Sequence, residues 1–205
     1  MEWTGAILLG LGAYLLGSIP SAYILVYLAK GIDIRQVGTG NVGALNTFQQ
    51  VGPWGGLLVL AVDGGKGALA SLAPQWAGLP EWTIFLTAPL VLAGHNWPVF
   101  LGFRGGKGAA AIFGISLAVV PVLTLIVVGP AVLMMALLRN VVLGAAFGFL
   151  LVNSLMLATD QSAGQVALCG GLTLVSTGTY VISAREHITN SIRHRRWRQL
   201  FNGLT

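Results

Sequence analysis

The chain has 205 residues, of which 55% are hydrophobic and only 8% are charged. Soluble domains carry about 25% charged residues, so this composition argues against a soluble enzyme and predicts a polytopic integral membrane protein. A single cysteine, Cys169, excludes an intramolecular disulfide and a cysteine metal cluster. The formal net charge of +5 comes mainly from a basic C-terminal tail. The tail favours contact with anionic lipid over contact with nucleic acid, because no basic soluble domain accompanies it.

Long apolar segments follow one another along the chain. A membrane-spanning helix needs about 20 mostly apolar residues. The start Met-Glu-Trp lacks the basic region of a cleavable signal peptide, so we expect the first segment to be retained. In chain order, the candidate segments are residues 3–29, 54–73, 82–95, 109–138, 141–158 and 164–183.

The fourth segment is longer than one crossing requires. As one straight helix, residues 109–138 would extend about 45 Å, against a hydrocarbon core of about 30 Å. It could form one long tilted helix or two short helices that meet near Pro121. In the second case the helix over residues 109–119 would be short for a full crossing. The charge pattern favours two helices, because it places Lys107 and Arg139 on the same side.

The charged residues between the segments predict the orientation. If the N-terminus faces outward, each outer segment contains an acid and lacks Lys and Arg, whereas the basic residues lie inside, as is typical of cytoplasmic loops. The outer acids are Glu2, Glu81 and Asp160. We therefore expect an all-α, polytopic membrane helix bundle with about seven transmembrane helices. The N-terminus would lie outside, the C-terminus would be cytoplasmic, and residues 1–205 would form a single domain.

The sequence GTGNVGALN, residues 38–46, is the first polar loop that suggests a ligand. Glycines at such spacing allow backbone N–H groups to form an anion-binding nest. The alternative, a tight turn between helices, is equally compatible with the glycines. The candidate ligands in this loop are Gly38, Thr39, Gly40, Asn41, Gly43 and Asn46.

The sequence GFRGGKGAAA, residues 102–111, is the second such loop and lies on the same predicted face. A helix N-terminus that is approached through glycines and flanked by cations is a ready anion site. A pair of positive-inside anchors would explain the charges but not the glycines. The candidates are Arg104, Gly105, Gly106 and Lys107, with His95 as either a ligand or, more commonly for such a residue, a hydrogen-bonded structural group.

Two further groups of polar residues complete this set. Asp63 and Lys66 lie inside the second segment at a spacing of three, which favours a structural ion pair, with Lys66 reaching the site as the alternative. In the tail, His187, Asn190 and Arg193 would share one face of a helix and could bind one ligand. A basic amphipathic helix on anionic lipid is the alternative for residues 195–198.

Together these motifs resemble the bacterial acyl-phosphate:glycerol-3-phosphate acyltransferase family, PlsY, over nearly the whole chain. GTGNVGALN is similar to GSGN-x-GATN, and GHNWPVFLGFRGGKG is similar to GH-x-x-P-x-F…FKGGKG. The resemblance implies seven helices and transfer of an acyl group from acyl-phosphate to glycerol 3-phosphate. The product would be lysophosphatidic acid, in the first step of bacterial phospholipid synthesis. It also implies the inner membrane, a site that faces the cytoplasm, and a soluble acyl-phosphate-forming enzyme as a partner.

The resemblance assigns residues one by one. Thr39 takes the place of a family serine, Arg104 replaces a lysine, and the direct matches are Asn41, Asn46, His95 and Lys107. His187, Asn190 and Arg193 fit the polar members of a third motif, although a second register would place His187 at the asparagine position.

The chain also departs from the family pattern. Gln49 stands where the family has a basic residue, and the expected hydroxyl side chains are missing from residues 141–145. A divergent paralogue with altered or lost activity is therefore one alternative. A small membrane transporter is the main rival class, but it would place polar residues near the midplane, whereas here the polar motifs gather at one face.

The candidate catalytic residues are Lys107, His187 and Thr39. An acyl-phosphate is already an activated anhydride, so positioning and charge stabilisation would supply most of the catalysis. His187 is a candidate general base or phosphate ligand, and the phosphate of the substrate is the alternative base. The sequence shows neither a Ser-His-Asp arrangement nor a metal-ligand cluster, so we expect no covalent acyl-enzyme, no cofactor and no metal.

Overall fold

The computed structural model describes the backbone of residues 2–193 and the side chains of residues 2–185. Within this range all regular structure is helical, with nine α-helices and three short 3₁₀ turns. The α-helices are α1 (Glu2–Ser18), α2 (Ser21–Lys30), α3 (Ala44–Val51), α4 (Pro53–Trp76), α5 (Ile84–Asn96), α6 (Ala109–Val119), α7 (Pro121–Leu138), α8 (Val141–Ala158) and α9 (Ala163–Arg193).

Within the described part of the chain, six helical segments are long and apolar enough to cross a membrane. They are Glu2–Lys30, Pro53–Trp76, Glu81–Leu101, Pro121–Leu138, Val141–Ala158 and Ala163–Arg185. The prediction of an all-α polytopic membrane protein is therefore confirmed. The seventh crossing, the outer N-terminus, the cytoplasmic C-terminus and the single domain stay predictions.

The first span is broken in its second half. Instead of one continuous helix over residues 3–29, α1 ends at Ser18 and α2 begins at Ser21. Pro20 has no N–H to donate to the preceding turn, and its ring clashes with a continued helix. The carbonyl of Ile19 is instead bonded by Lys66 Nζ from α4, at 2.6 Å.

The predicted division of the fourth segment is confirmed. α6 ends at Val119, Val120 leaves the helical conformation with φ −136° and ψ 65°, and α7 begins at Pro121. Pro121 suits the first position of a helix, where its missing N–H has no acceptor in any case.

Residues 1–121 form one compact unit, which contains α1 to α6. Its helices cross at glycines, as is typical of membrane helices that approach closely. A Cβ atom on Gly17 would overlap the carbonyl of Val91, so α1 and α5 touch through their backbones. Similarly, a Cβ atom on Gly67 of α4 would overlap the carbonyl of Ala111 in α6.

The short helix α3 was missing from the sequence prediction, which treated this region as a loop. It buries Asn46 and Thr47 and exposes Phe48, Gln49 and the following Trp54. Since it lies between the end of one span and the start of the next, its amphipathic character indicates a helix at the membrane surface.

The described residues from 122 onward belong to the second compact unit, which contains α8, α9 and all of α7 except Pro121. A Cβ atom on Gly144 of α8 would overlap Met135 of α7, so these helices also cross at a glycine. Asn153 Nδ2 of α8 donates to Thr173 Oγ1 of α9 at 3.2 Å. Interhelical hydrogen bonds of this kind add to the packing of helices in lipid.

Candidate active site

The first glycine loop is held from inside by Asn46. This side chain is fully buried at the start of α3, and its Nδ2 donates to the carbonyls of Ile34 (3.0 Å), Val37 (3.0 Å) and Asn41 (3.1 Å). Its Oδ1 accepts from the Thr39 N–H at 3.4 Å. Asn46, which we expected to bind substrate, therefore shapes the loop from below instead of facing a ligand directly.

The tip of this loop faces outward. Gly38 and Gly40 have φ values of 58° and 69°, a left-handed conformation that glycine adopts without strain. Thr39 is exposed between them, and its Oγ1 accepts from the Asn41 N–H at 3.4 Å. Of the predicted ligands in this loop, Thr39 and Asn41 are therefore the side chains best placed to meet one.

The second glycine loop is bonded to the end of α5. The Gly105 N–H donates to the Asn96 carbonyl at 3.1 Å, and the Gly106 N–H donates to the His95 carbonyl at 3.0 Å. These two amides cap α5, so Gly105 and Gly106, which we predicted to bind substrate, could not do so through these N–H groups. The first turn of α6 begins directly after Gly108, and the opening amides of a helix have no acceptor within the helix.

The two loops meet at Gly106. A Cβ atom on Gly106 would overlap His95 Nε2 and would lie 2.8 Å from the carbonyl oxygen of Val42, which belongs to the first loop. Only glycine fits at this contact. The structure thus brings together the two loops that the sequence analysis placed on one face.

Arg35 makes a second link between the two regions. Its Nη1 donates to the Leu101 carbonyl at 3.2 Å, and its guanidinium pairs with Asp33 at 2.7 Å. The hydrogen bond from Arg35 lowers the pKa of Asp33, and the same bond raises the pKa of Arg35. Both groups therefore stay charged at neutral pH and hold the first loop against residues 99–101.

Lys107 and Arg104 bring positive charge to the second loop. Arg104 is exposed, whereas Lys107 is half-buried, and its burial lowers the pKa of the ammonium group. A partly desolvated cation gains more from a bound anion than an exposed one does, because water screens the pair less. This electrostatic setting suits a phosphate.

A charged cluster lies deeper in the same unit. Lys66 Nζ donates to Asp63 Oδ1 at 2.8 Å, and Ser21 Oγ donates to the same oxygen at 2.6 Å. His95 Nδ1 lies 3.8 Å from Asp63 Oδ1. The expected pairing of Asp63 with Lys66 is thus present in the structure, and it includes two side chains from other helices.

Asn96 is a polar residue of this region that the sequence analysis did not assign. It is 4% exposed, and neither its Oδ1 nor its Nδ2 has a hydrogen-bond partner among the described residues. A Cβ atom on Gly108 would lie 2.9 Å from its Oδ1, so the amide lies directly beneath the second loop. The only signal in the sequence was an asparagine beside His95 at the end of an apolar segment.

The remaining predicted positions lie elsewhere or outside the described side chains. Gln49 borders the first loop, because its Oε1 would lie 3.2 Å from a Cβ atom on Gly38. The backbone of α9 includes His187, Asn190 and Arg193, but their side chains lie outside the described part of the chain, so their grouping stays a prediction.

Comparison with known proteins gives consistent matches. The profile of the family "Glycerol-3-phosphate acyltransferase" matches residues 7–196. Glycerol-3-phosphate acyltransferase 2 of Dehalococcoides mccartyi (strain ATCC BAA-2266 / KCTC 15142 / 195) is 49% identical over 94 residues, which are 46% of this chain and 45% of that protein. Glycerol-3-phosphate acyltransferase of Synechococcus sp. (strain CC9605) is 47% identical over 102 residues, half of each chain. The chain thus spans about half the length of the curated relatives it matches.

Two crystal structures are similar over almost the whole chain. The glycerol 3-phosphate form of PlsY, an integral membrane glycerol 3-phosphate acyltransferase, has a TM-score of 0.81 and 30% identity, and the match covers 93% of this chain and 94% of that one. The lysophosphatidic acid form has a TM-score of 0.78 and 29% identity, with 93% of each chain covered. With its glycine loops, its membrane helices and a profile match from residue 7 to residue 196, the chain belongs to the glycerol-3-phosphate acyltransferase family.

Proposed function

We propose that this protein transfers a fatty acyl group from acyl-phosphate to glycerol 3-phosphate, giving lysophosphatidic acid as the first step of phospholipid synthesis. The observation that carries the proposal is the meeting of two glycine loops at Gly106, next to Lys107. The similar PlsY structures were solved with glycerol 3-phosphate and with lysophosphatidic acid, which supports these compounds as acceptor and product.

Each side chain at the loops has a chemical role in this proposal. Lys107 and Arg104 bind phosphate oxygens, and the free amides at the start of α6 add donors along the helix dipole. Thr39 and Asn41 orient the reacting groups from the first loop. The acceptor-binding role of His187, Asn190 and Arg193 stays a prediction from the sequence resemblance.

The reaction needs no covalent enzyme intermediate. The hydroxyl oxygen of glycerol 3-phosphate attacks the acyl carbonyl carbon, a new C–O ester bond forms, and the bond between that carbon and the phosphate oxygen breaks. The hydroxyl proton passes to His187 or to a phosphate oxygen, and inorganic phosphate leaves. Because the donor is already activated, holding two anions close together is the main task of the site, and fixed cations perform it.

The protein is a multi-pass integral membrane protein, and we infer that it lies in the inner membrane with its site facing the cytoplasm. The basic residues between the spans support this orientation, since basic residues accumulate in cytoplasmic loops. They are Lys30, Arg35, Arg104, Lys107 and Arg139. A soluble enzyme that forms acyl-phosphate would then deliver the donor at the same face.

Incubation of the purified full-length protein with acyl-phosphate and labelled glycerol 3-phosphate tests the proposal. Labelled lysophosphatidic acid is the expected product, and Lys107→Ala should abolish its formation without unfolding the protein. Loss of one strong electrostatic contact lowers turnover by more than about threefold. If Lys107→Ala kept turnover within about threefold of the wild type, the proposed phosphate role of Lys107 would be wrong. Absence of product where a known acyltransferase is active would instead favour the divergent paralogue.

A further inference from the structure

Asp63 and Lys66 form an ion pair deep in the first unit that the proposed reaction does not use. Their side chains are only 2% and 5% exposed. Charged groups at membrane depth are costly and usually have a function or a close partner. Mutual neutralisation alone would need only the 2.8 Å bond between them, yet both side chains make further contacts.

Lys66 and Asp63 connect α4 to the break in the first span. Lys66 Nζ donates to the carbonyl of Ile19 at 2.6 Å, and Ser21 Oγ donates to Asp63 Oδ1 at 2.6 Å. Ile19 lies within the break, and Ser21 is the first residue of α2. The pair therefore fixes the position where α1 gives way to α2.

On its other side, the carboxylate faces His95. Nδ1 of that ring lies 3.8 Å from Asp63 Oδ1, and its Nε2 lies against Gly106 of the second loop. Asp63, His95, Ser21, Val42 and Gly105 line one small cavity beneath the two loops. A path of direct contacts thus leads from the buried carboxylate to the loop that carries Lys107.

We propose that Asp63 is a positioning residue for the phosphate site, which acts through His95. Asp63 holds the imidazole with Nδ1 toward its carboxylate and Nε2 toward Gly106, and the ring in turn sets the height of the second loop. At 3.8 Å this contact is electrostatic and not a hydrogen bond, so the carboxylate orients the ring through its charge. Lys66 pairs with the carboxylate and ties it to the break between α1 and α2. The inference rests on the proposed function, because that function supplies the phosphate that the second loop would bind.

Two variants separate positioning from simple charge neutralisation. Asp63→Asn leaves Lys66 without its carboxylate and should lower the melting temperature. The double variant Asp63→Asn, Lys66→Met removes both charges and should recover most of that loss. If Asp63 positions His95, the double variant still shows a KM for glycerol 3-phosphate raised about tenfold, because a loop misplaced by a fraction of an ångström binds poorly. A KM equal to that of the wild type would reduce the pair to a structural role and overturn the inference.

The His95→Asn variant tests the route of the effect. When the Asp63 and Lys66 changes are added to His95→Asn, KM should rise by less than about twofold further, since coupled residues show non-additive effects. If the increases in KM from the separate changes multiplied instead, Asp63 would act independently of His95, which would contradict the proposal. Ser71→Ala is the matched control, because this buried α4 hydroxyl donates to the Gly67 carbonyl of its own helix and should leave KM unchanged.

Binding of inorganic phosphate, measured as a rise in melting temperature, distinguishes this inference from the proposed function. Failure of the wild type to form lysophosphatidic acid would reject the function alone. Phosphate should still stabilise the wild type and Ser71→Ala, and it should stabilise the double variant much less. Equal stabilisation of all three proteins, or none of the wild type, would overturn the role of Asp63.

Discussion

Lys107 lies in the second loop with its ammonium group half-buried, and this burial has a consequence for the pH range of activity. Burial disfavours the charged form and lowers the pKa of Lys107 below that of an ordinary lysine. The protonated form is the one that binds phosphate, so activity should fall as pH rises through this lowered pKa.

The alkaline limb of kcat/KM for glycerol 3-phosphate is therefore expected to begin below the usual lysine range. Lys107→Arg should move this limb to higher pH, because a guanidinium stays protonated throughout the accessible range. The measurement is a pH profile of both proteins, with Lys30→Ala as a control at an exposed lysine. Identical alkaline limbs for the wild type and Lys107→Arg would show that another group titrates.

Asn46 shows how one side chain can set the shape of a loop. Asn46→Leu removes the amide that bonds the carbonyls of Ile34, Val37 and Asn41. A buried acceptor that loses its donor costs about 1–3 kcal/mol, so we expect a clear fall in the free energy of unfolding together with loss of activity. Gln36→Ala, at an exposed position of the same region, should change neither. Unchanged stability of Asn46→Leu, followed by thermal or chemical unfolding, would refute this structural role.

At the scale of the elements, glycine crossings decide how close the helices and loops come. Gly106→Ala places a methyl group where His95 Nε2 and the Val42 carbonyl lie, so the two loops should separate and activity should be lost. Gly65→Ala is a matched control on α4, because a Cβ atom there has no neighbour within 4 Å. Alanine also favours the helix by about 0.5–1 kcal/mol, so this control should be neutral or slightly stabilising. Full activity of Gly106→Ala would show that the contact between the loops is dispensable.

Most of the helical elements could be predicted from the sequence, because hydrophobic length and proline act locally. The six apolar segments and the division near Pro121 are both present in the structure. The break after Ser18 was missed although Pro20 marks it, and the bond that Lys66 makes to the Ile19 carbonyl comes from 47 positions away and has no local signal. α3 was missed because it is too short for a hydropathy window and its glycines suggested a loop.

The candidate site was predictable to a similar extent. The glycine loops and Lys107 were identified because glycines and cations have a direct meaning for anion binding. The inward role of Asn46, the capping bonds of Gly105 and Gly106, and the buried amide of Asn96 were not. They depend on which neighbours the tertiary fold supplies, and no local pattern contains that information.

At the scale of the whole molecule, the charge pattern makes a testable statement about sidedness. With Cys169 replaced by alanine, single cysteines at Asp160 and at Gln36 should report opposite faces of the membrane. A membrane-impermeant thiol reagent added to intact cells should label Asp160→Cys, and it should label Gln36→Cys only after permeabilisation. Labelling of both positions from outside would contradict the predicted orientation and the cytoplasmic site.

The short helix α3 has one more consequence, for how the protein responds to its surroundings. Phe48 of α3 and Trp54 at the start of α4 are exposed, while Asn46 of α3 holds the first glycine loop. A tilt of α3 imposed by lipid packing would therefore be transmitted to Thr39 within a single turn of helix. We expect the affinity for glycerol 3-phosphate to vary with headgroup density, so that kinetics in nanodiscs and in detergent micelles differ in KM. Through α3, the lipid composition of the bilayer would then affect the activity that we propose supplies precursors for that bilayer.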